Sequence, residues 1–526
     1  MADTSREFVL DGDARAGSDV LLAIAGGASL AGGLSWVNGG PARASRRSWL
    51  DTFDWRLYRA GLTLEQVSGR HGTELVLTGR DGGVLATQRV AAGPAWPSLA
   101  GALPAGPLRE LIEPVAGIRA LCPVARATSK VSELRALNDD AKTVARLAVD
   151  RMSVTFPARR PAPPRLTLTP VRGYSGFADR VSRAIAGVPG ISAGRGSALD
   201  TALALAGQHA GDRPGKAAAV QLSPSMPAAA GMAAILTALL DSLEANVPGT
   251  IRDIDTEFLH DLRIAVRWTR SALKLCGRAL PGGLAREFRP EFRWLGDLTT
   301  PSRDLDVYLL DFDGMAAGLV AATESELGPF REHLDRTRAA EHRTLVRGLR
   351  SARFARLAAS WRAALDSVRQ LARKRPTVTQ LAGTRISAAQ GLALQAGLLI
   401  TPHSPAQSLH DLRKRCKELR YLVEMFGSLH EPAQRWEAVR ELKALQDCLG
   451  AFQDAEVQRA EIRAFAEQML AARSAPAATL LAMGEIAAGL ARRQAAARSE
   501  FDGRFAAFAS PASQSRLSAL AEPGAA

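Results

Sequence analysis

The feature that most constrains this 526-residue chain is an internal repeat. L-H-D-L-R occurs at 259–263 and again at 409–413, an offset of 150 residues. The same offset carries Arg267 onto Lys417 and Arg270 onto Arg420. It also carries Leu295, Asp297, Asp304, Asp306 and Val307 onto Leu445, Asp447, Asp454, Glu456 and Val457. Two separate motifs that keep one offset define a duplicated unit of about 150 residues, folded as two pseudo-symmetric halves.

Spacing inside the unit says what it builds. His260, Arg263, Arg267, Arg270 and Lys274 advance by threes and fours, which lines them on one helical stripe about 21 Å long. His410, Arg413, Lys417 and Arg420 repeat that stripe. Beside the first runs a mostly apolar seam of Leu259, Leu262, Val266, Thr269 and Leu273; beside the second run Leu409, Leu412, Cys416, Leu419 and Val423. Asp261 and Asp411 fall off the basic stripes and leave them unneutralised. A single such face is ordinarily a solvated helix exterior. Two copies, each led by a histidine, favour a ligand surface. Arg343, Arg347 and Arg350 extend the candidate surface along the 330–374 segment, with Glu332, Asp335 and Glu341 interspersed. Asp297, Asp304 and Asp306 read either as helix-start residues or as salt-bridge partners that orient the arginines.

Net charge does not find this surface. The chain holds 67 Lys and Arg against 53 Asp and Glu, a formal +14 that calls for an anionic partner. Residues 1–224 carry 27 basic and 19 acidic residues; residues 225–526 carry 40 and 34. The part with the repeat is the less positive one. Position matters, not total charge.

The rest of the composition excludes several classes. A 47% hydrophobic, 23% charged chain is a folded protein. Cys122, Cys276, Cys416 and Cys448 stand far apart without a C-x-x-C pair, so neither a disulfide framework nor a structural zinc site is expected. Cys276 and Cys416 read as seam residues. The eight histidines form no H-E-x-x-H spacing, and no G-x-x-x-x-G-K-[ST] loop is present. No catalytic residue, metal or cofactor is expected. Val20–Val37 is uncharged, but four glycines lower its hydropathy and Asp11, Asp13 and Asp19 precede it where a signal peptide carries positive charge. A cytoplasmic chain without a membrane partner is the expectation.

The fold class expected is α+β. Short β-leaning runs, among them Glu74–Thr78, Val84–Val90 and Arg165–Thr169, fill the first 205 residues between Gly and Asp-Gly turns. A Gly, Pro and Ala-rich linker is placed at 206–227. Long segments of helical period then occupy 228–526, in repeats of about 228–375 and 385–526. They include Ala228–Asn246, Asp253–Gly277, Phe330–Lys374, Ser408–Phe426, Ala433–Ala472 and Ala478–Phe508.

From about Ser225 onward, L-H-D-L-R-x3-R-x2-R, its copy L-H-D-L-R-x3-K-x2-R and the two L-x-D…D-x-[DE]-V segments strongly resemble the CHAD domain, a helical family named for its histidines. The resemblance implies an all-α bundle of two pseudo-symmetric halves around a basic channel. It implies inorganic polyphosphate as the ligand, often on bacterial polyphosphate granules. It assigns His260, Arg263, Arg267, Arg270, His410, Arg413, Lys417 and Arg420 to that ligand. Lys417 keeps the charge of Arg267 but loses its forked geometry. The chemistry is consistent with this. A phosphate chain has no bases, so its reader needs cations at helical spacing and no stacking platform; aromatics are 5% of this chain. A histidine beside phosphates is favoured in its charged form, so binding is expected to strengthen as pH falls.

Residues 1–205 resemble the CYTH family, an antiparallel β-barrel that hydrolyses triphosphates with metal-holding acids. L-D-T-F-D-W-R-L-Y-R-A-G-L-T-L at 50–64, N-D-D-A-K-T-V-A-R-L at 138–147 and L-T-P-V-R-G-Y at 168–174 carry the resemblance. The expected E-x-E-x-K is absent; residues 7–15 read E-F-V-L-D-G-D-A-R, so Glu7, Asp11 and Asp13 supply acids out of register. Glu65-Gln66-Val67 and Glu74–Gly79 lack the expected cations, leaving Lys142 and Arg146 as phosphate contacts or structural residues. This is a degenerate CYTH-like domain. Two alternatives remain: a CYTH-type tripolyphosphatase that recruits substrate through the helices, and a nucleic-acid-binding helical protein. Nucleic acid is the less favoured partner.

Overall fold

Alternating residues pair into antiparallel strands before residue 200, and the 3.6-residue period takes over from residue 228, so the computed structural model is α+β as expected. It describes residues 6–10, 35–91, 94–188, 190–194, 196–212, 220–371 and 376–522. Asp11, Asp13, Lys374, residues 213–219 of the linker and most of the uncharged Val20–Val37 run lie outside the described residues. Two units separate at Gly215 and Lys216.

The first unit is one antiparallel sheet. Its strands are β1 (Arg6–Leu10), β2 (Ser35–Asn38), β3 (Arg43–Thr52), β4 (Thr63–Gly69), β5 (Gly72–Thr78), β6 (Val84–Val90), β7 (Ser98–Leu99), β8 (Ala120–Leu137), β9 (Thr143–Phe156), β10 (Arg160–Pro161), β11 (Arg165–Pro170) and β12 (Ile191–Ala193). The main path is β12-β1-β11-β9-β8-β3-β4-β5-β6, and no pairing joins β12 to β6 among the described residues. Among the described residues short helices attend it: α1 (Arg56–Arg59), α2 (Pro107–Ala116), α3 (Ser175–Ala186) and α4 (Ala198–Ala204). Side chains alternate faces along a strand, so β9 serves two cores. Leu147 and Val149 pack on Ala178, Val181 and Ile185 of α3. Met152 and Val154, on the other face, pack with Trp49, Trp55 and Leu199, Ala202 and Leu203 of α4.

The motif at 50–64 does structural work. Asp51 is buried and accepts the backbone N–H groups of Thr52, Leu57 and Tyr58 at 2.7, 3.0 and 2.9 Å. Those bonds tie the end of β3 to α1 across Trp55, whose φ of 61° lies in the left-handed region. Burial pushes the Asp51 carboxyl up to about 6.

The second unit is a helical bundle: α5 (Ala228–Ile251), α6 (Thr256–Cys276), α7 (Leu284–Leu310), α8 (Phe312–Ala317), α9 (Gly328–Leu349), α10 (Ala352–Leu371), α11 (Val378–Leu398), α12 (Ala406–Met425), α13 (Pro432–Ala471), α14 (Ala477–Ala509) and α15 (Pro511–Ala519). The repeat is visible in the element starts. Ala228 and Val378 open α5 and α11, and Thr256 and Ala406 open α6 and α12, each pair 150 residues apart. Where the halves meet, the contact is reciprocal. Ala228 N donates to Pro376 O and Val378 N donates to Met226 O, both at 2.8 Å. Such an exchange is the signature of a two-fold-related contact.

The apolar seams are core. Leu259, Leu262, Val266, Thr269 and Leu273 are buried, as are Leu409, Leu412, Cys416, Leu419 and Val423. Cys276 and Cys416 are buried free thiols, raised to about 12 by desolvation and therefore inert. α5 is the one described helix long and apolar enough to cross a bilayer, and 56% of that stretch is buried within the unit. Its residues Met232, Leu236 and Leu239 belong to the bundle core.

One expected helix is divided in the structure. The 330–374 segment is two helices, because the chain turns at Arg350 and Ser351, where Ser351 Oγ donates to Gly348 O at 2.7 Å and accepts from Phe354 N at 3.3 Å. α7 runs unbroken from Leu284 to Leu310 although it contains Pro290 and Pro301.

Candidate functional site

α6 and α12 pack on one another, with Trp268 and Tyr421 5.8 Å apart between ring centroids and Lys274 paired to Glu418. Their basic stripes therefore meet, and α7 closes one side. Together they line an open groove of about 970 Å³. Eight cations face it: Arg267, Arg270 and Lys274 from α6, Arg286, Arg289 and Arg293 from α7, and Lys414 and Lys417 from α12. Only two carboxylates, Asp297 and Glu418, share the lining.

Arg267, Arg270, Arg286 and Arg293 are exposed and make no hydrogen bond or ion pair among the described residues. Arg270 lies over Gly296, where a Cβ would stand 2.4 Å from its Nη1, so the glycine makes room for the guanidinium. Arg289 is fixed differently: its Nη2 donates to Leu273 O at 2.6 Å, at the end of α6. Half-buried Lys417 has no hydrogen bond or ion pair among the described residues. Burial, then Arg413 and Arg267, lower its ammonium to about 8. A lysine in that state is short of negative charge.

Other expected site residues stand beside the groove or away from it. Arg263 is half-buried and donates to Thr300 Oγ1 at 2.8 Å and Thr299 Oγ1 at 3.1 Å, which anchors α6 to α7. Desolvation lowers its pKa, opposed by Asp304. Arg413 pairs with Asp454 at 2.9 Å, and Arg420 with Glu424 at 2.6 Å. His410 Nδ1 donates to Gln453 Oε1 at 2.5 Å, while His260 is half-buried and also partnered. Neither histidine lines the groove. Arg343 and Arg347 stand exposed on α9 and Arg350 just past its end, and none is brought to the groove. Asp306 pairs with Arg338, which also holds Asp253.

Sequence reasoning missed Arg286, Arg289, Arg293 and Lys414. The first three keep the helical three-and-four spacing, but proline and acidic neighbours disguised the period. It also missed two rings. Trp294 and Tyr421 reach the groove, each already engaged: Arg353 covers Trp294 at 4.3 Å, and Tyr421 meets Trp268 and Arg267.

In the β unit the acids are occupied by arginine. Glu7 pairs with Arg165, and Arg47 holds both Glu65 and Asp150, at 2.9 and 3.0 Å. No group of three or more His, Cys, Asp or Glu is disposed to hold a metal among the described residues. Lys142 and Arg146 are exposed.

Among solved structures, the chain is similar to the CHAD domain from the plant Ricinus communis at 24% identity and a TM-score of 0.48, covering 55% of this chain and 95% of that one. It is also similar to PptA from Streptomyces chartreusis, at 17% identity and a TM-score of 0.41, covering 53% and 99%. No curated protein matches the chain. The model of the CHAD domain family matches residues 234–463, which span the repeat from α5 into α13. Those residues of the helical unit are a CHAD domain.

Proposed function

We propose that the helical unit binds inorganic polyphosphate in the groove between α6, α7 and α12. CHAD is a family associated with polyphosphate binding and is generally non-catalytic. The observation that carries the reading is the imbalance of eight cations to two carboxylates, with Arg267, Arg270, Arg286, Arg293 and Lys417 unpaired among the described residues. Self-repulsion among such charges is relieved by a polyanion, and guanidinium forks match phosphate oxygens. A reader of single-stranded nucleic acid would offer ring faces for stacking; the two rings here are already engaged. Binding without turnover, in the cytoplasm and on polyphosphate granules, is the proposed role.

The test is calorimetric titration of the full chain with polyphosphate, repeated on Arg267→Ala/Arg270→Ala/Lys417→Ala. Loss of the high-affinity site, with an unchanged melting curve, is expected. Undiminished binding would sink the assignment. Phosphate release from tripolyphosphate with magnesium or manganese would restore the triphosphatase reading instead.

A further inference from the structure

The β unit treats the two faces of its central strands differently. In an antiparallel pair, directly opposed residues point to the same face. On the face that carries α4, charges are matched: Arg47 bonds Glu65 and Asp150, and Ser129 donates to Asp150. On the reverse face, Arg46, Arg70 and Lys130 have no carboxylate partner among the described residues.

There, Arg46 lies opposite Thr128 of β8 and Ser68 of β4, Lys130 lies opposite Arg151 of β9, and Thr128 lies opposite Ser153. With Arg70, which follows β4, these residues line a second groove of about 560 Å³. Four cations face it with the hydroxyls of Ser68, Thr128 and Ser153, and no carboxylate or aromatic ring lines it. Arg46, Arg70 and Lys130 are exposed and make no hydrogen bond or ion pair among the described residues. Arg151 donates to Ser132 Oγ at 3.3 Å. Lys130 stands directly opposite Arg151, so two cations share one rung of the sheet. Four adjacent strands at about 4.8 Å spacing spread the cations over roughly 14 Å, too far for one phosphate and suited to several in a row.

We propose that this face of the β unit is a second anion site, which takes a chain of linked phosphates. Cations pair with the charged non-bridging oxygens, and hydroxyls donate to the oxygens left over. The site is separate from the paired acids Glu7, Glu65 and Asp150, which lie on other positions of the sheet, and it requires no metal. Only the identity of the chain as inorganic polyphosphate rests on the function proposed for the helical unit; the anion site itself does not.

Short-chain inorganic polyphosphate, titrated calorimetrically into the full protein, tests it. Two sites per chain are expected. Arg46→Ala/Arg70→Ala/Lys130→Ala should remove one, Arg267→Ala/Arg270→Ala/Lys417→Ala the other, and the combined variant both. Arg46→Lys/Arg70→Lys keeps the charges and should keep the site, which separates lost charge from a disturbed sheet. The inference is overturned if the β-unit substitutions leave the stoichiometry unchanged. It is overturned in its ligand class if a single-stranded oligonucleotide of matched charge fills the same site equally well. If only the β-unit substitutions abolish binding, this site stands and the function proposed for the helices fails.

Discussion

The two halves of the helical unit share a stripe but not its state. In the first, Arg267 and Arg270 are unpaired among the described residues, and Gly296 leaves the Arg270 guanidinium bare. In the second, Arg413 is held by Asp454, and Arg420 by Glu424 and by Gln446, the residue that takes the place of Gly296. Where the first stripe ends in Lys274, the second reaches Glu424. Duplication therefore gave two scaffolds: one keeps Arg267 and Arg270 available at the middle of its stripe, and the other answers both of its arginines internally. Lys417 is the exception, since it faces the groove from the second half without a partner. A groove at the junction of unequal halves has a strong wall and a weak one.

Reversing the strong wall should have the largest effect. Arg267→Glu/Arg270→Glu/Arg293→Glu is expected to lower polyphosphate affinity by more than about a hundred-fold, since each charge-assisted bond is worth about 1.5–3 kcal/mol. Equilibrium titration at fixed salt reads this, and a smaller loss than for the weak wall would invert the comparison. Lys417 comes next. Lys417→Met should cost about ten-fold at neutral pH, the value of one such bond. Its pH dependence follows from an ammonium lowered to about 8 in the free protein. Bound phosphate holds it charged, so binding takes up a proton above that pH and affinity falls by up to about ten-fold per unit. Below pH 8 this group adds no slope. Lys417→Arg should abolish the alkaline fall.

The paired arginines should matter less. Arg413→Ala/Arg420→Ala removes charges already answered by Asp454 and Glu424 and is expected to weaken binding by only about three-fold, as exposed pairs are worth little. Smallest of all is the α9 row: Arg343→Ala/Arg347→Ala/Arg350→Ala stands outside the groove and should leave affinity unchanged at matched salt. A large loss there would show that the ligand extends well beyond it.

Much of the fold was legible because a repeat and a period are properties of sequence. The seams of α6 and α12 are buried as their spacing predicts, and Val84–Val90 is a strand over its full expected length. Sites were harder. Spacing places Arg413 on the same stripe as Lys417, but only the partner on α13, Asp454, decides that its charge is answered at home. Arg286, Arg289 and Arg293 come from α7, a helix with two prolines, and no local pattern says which face of α6 it will cover. The histidines led both stripes in sequence; in space they lie outside the groove lining. In the β unit, the cations of the reverse face required strand register to be seen at all.

The measurement that bears most directly on the central claim is competition at matched salt between polyphosphate and duplex DNA for the full chain. Both polymers release counterions, so salt dependence alone separates nothing. Polyphosphate should displace DNA at a small fraction of the DNA concentration, and the Arg267→Ala/Arg270→Ala/Lys417→Ala variant should lose that advantage. Equal competition by the two polymers, or an advantage that survives those substitutions, would contradict a polyphosphate groove between α6, α7 and α12.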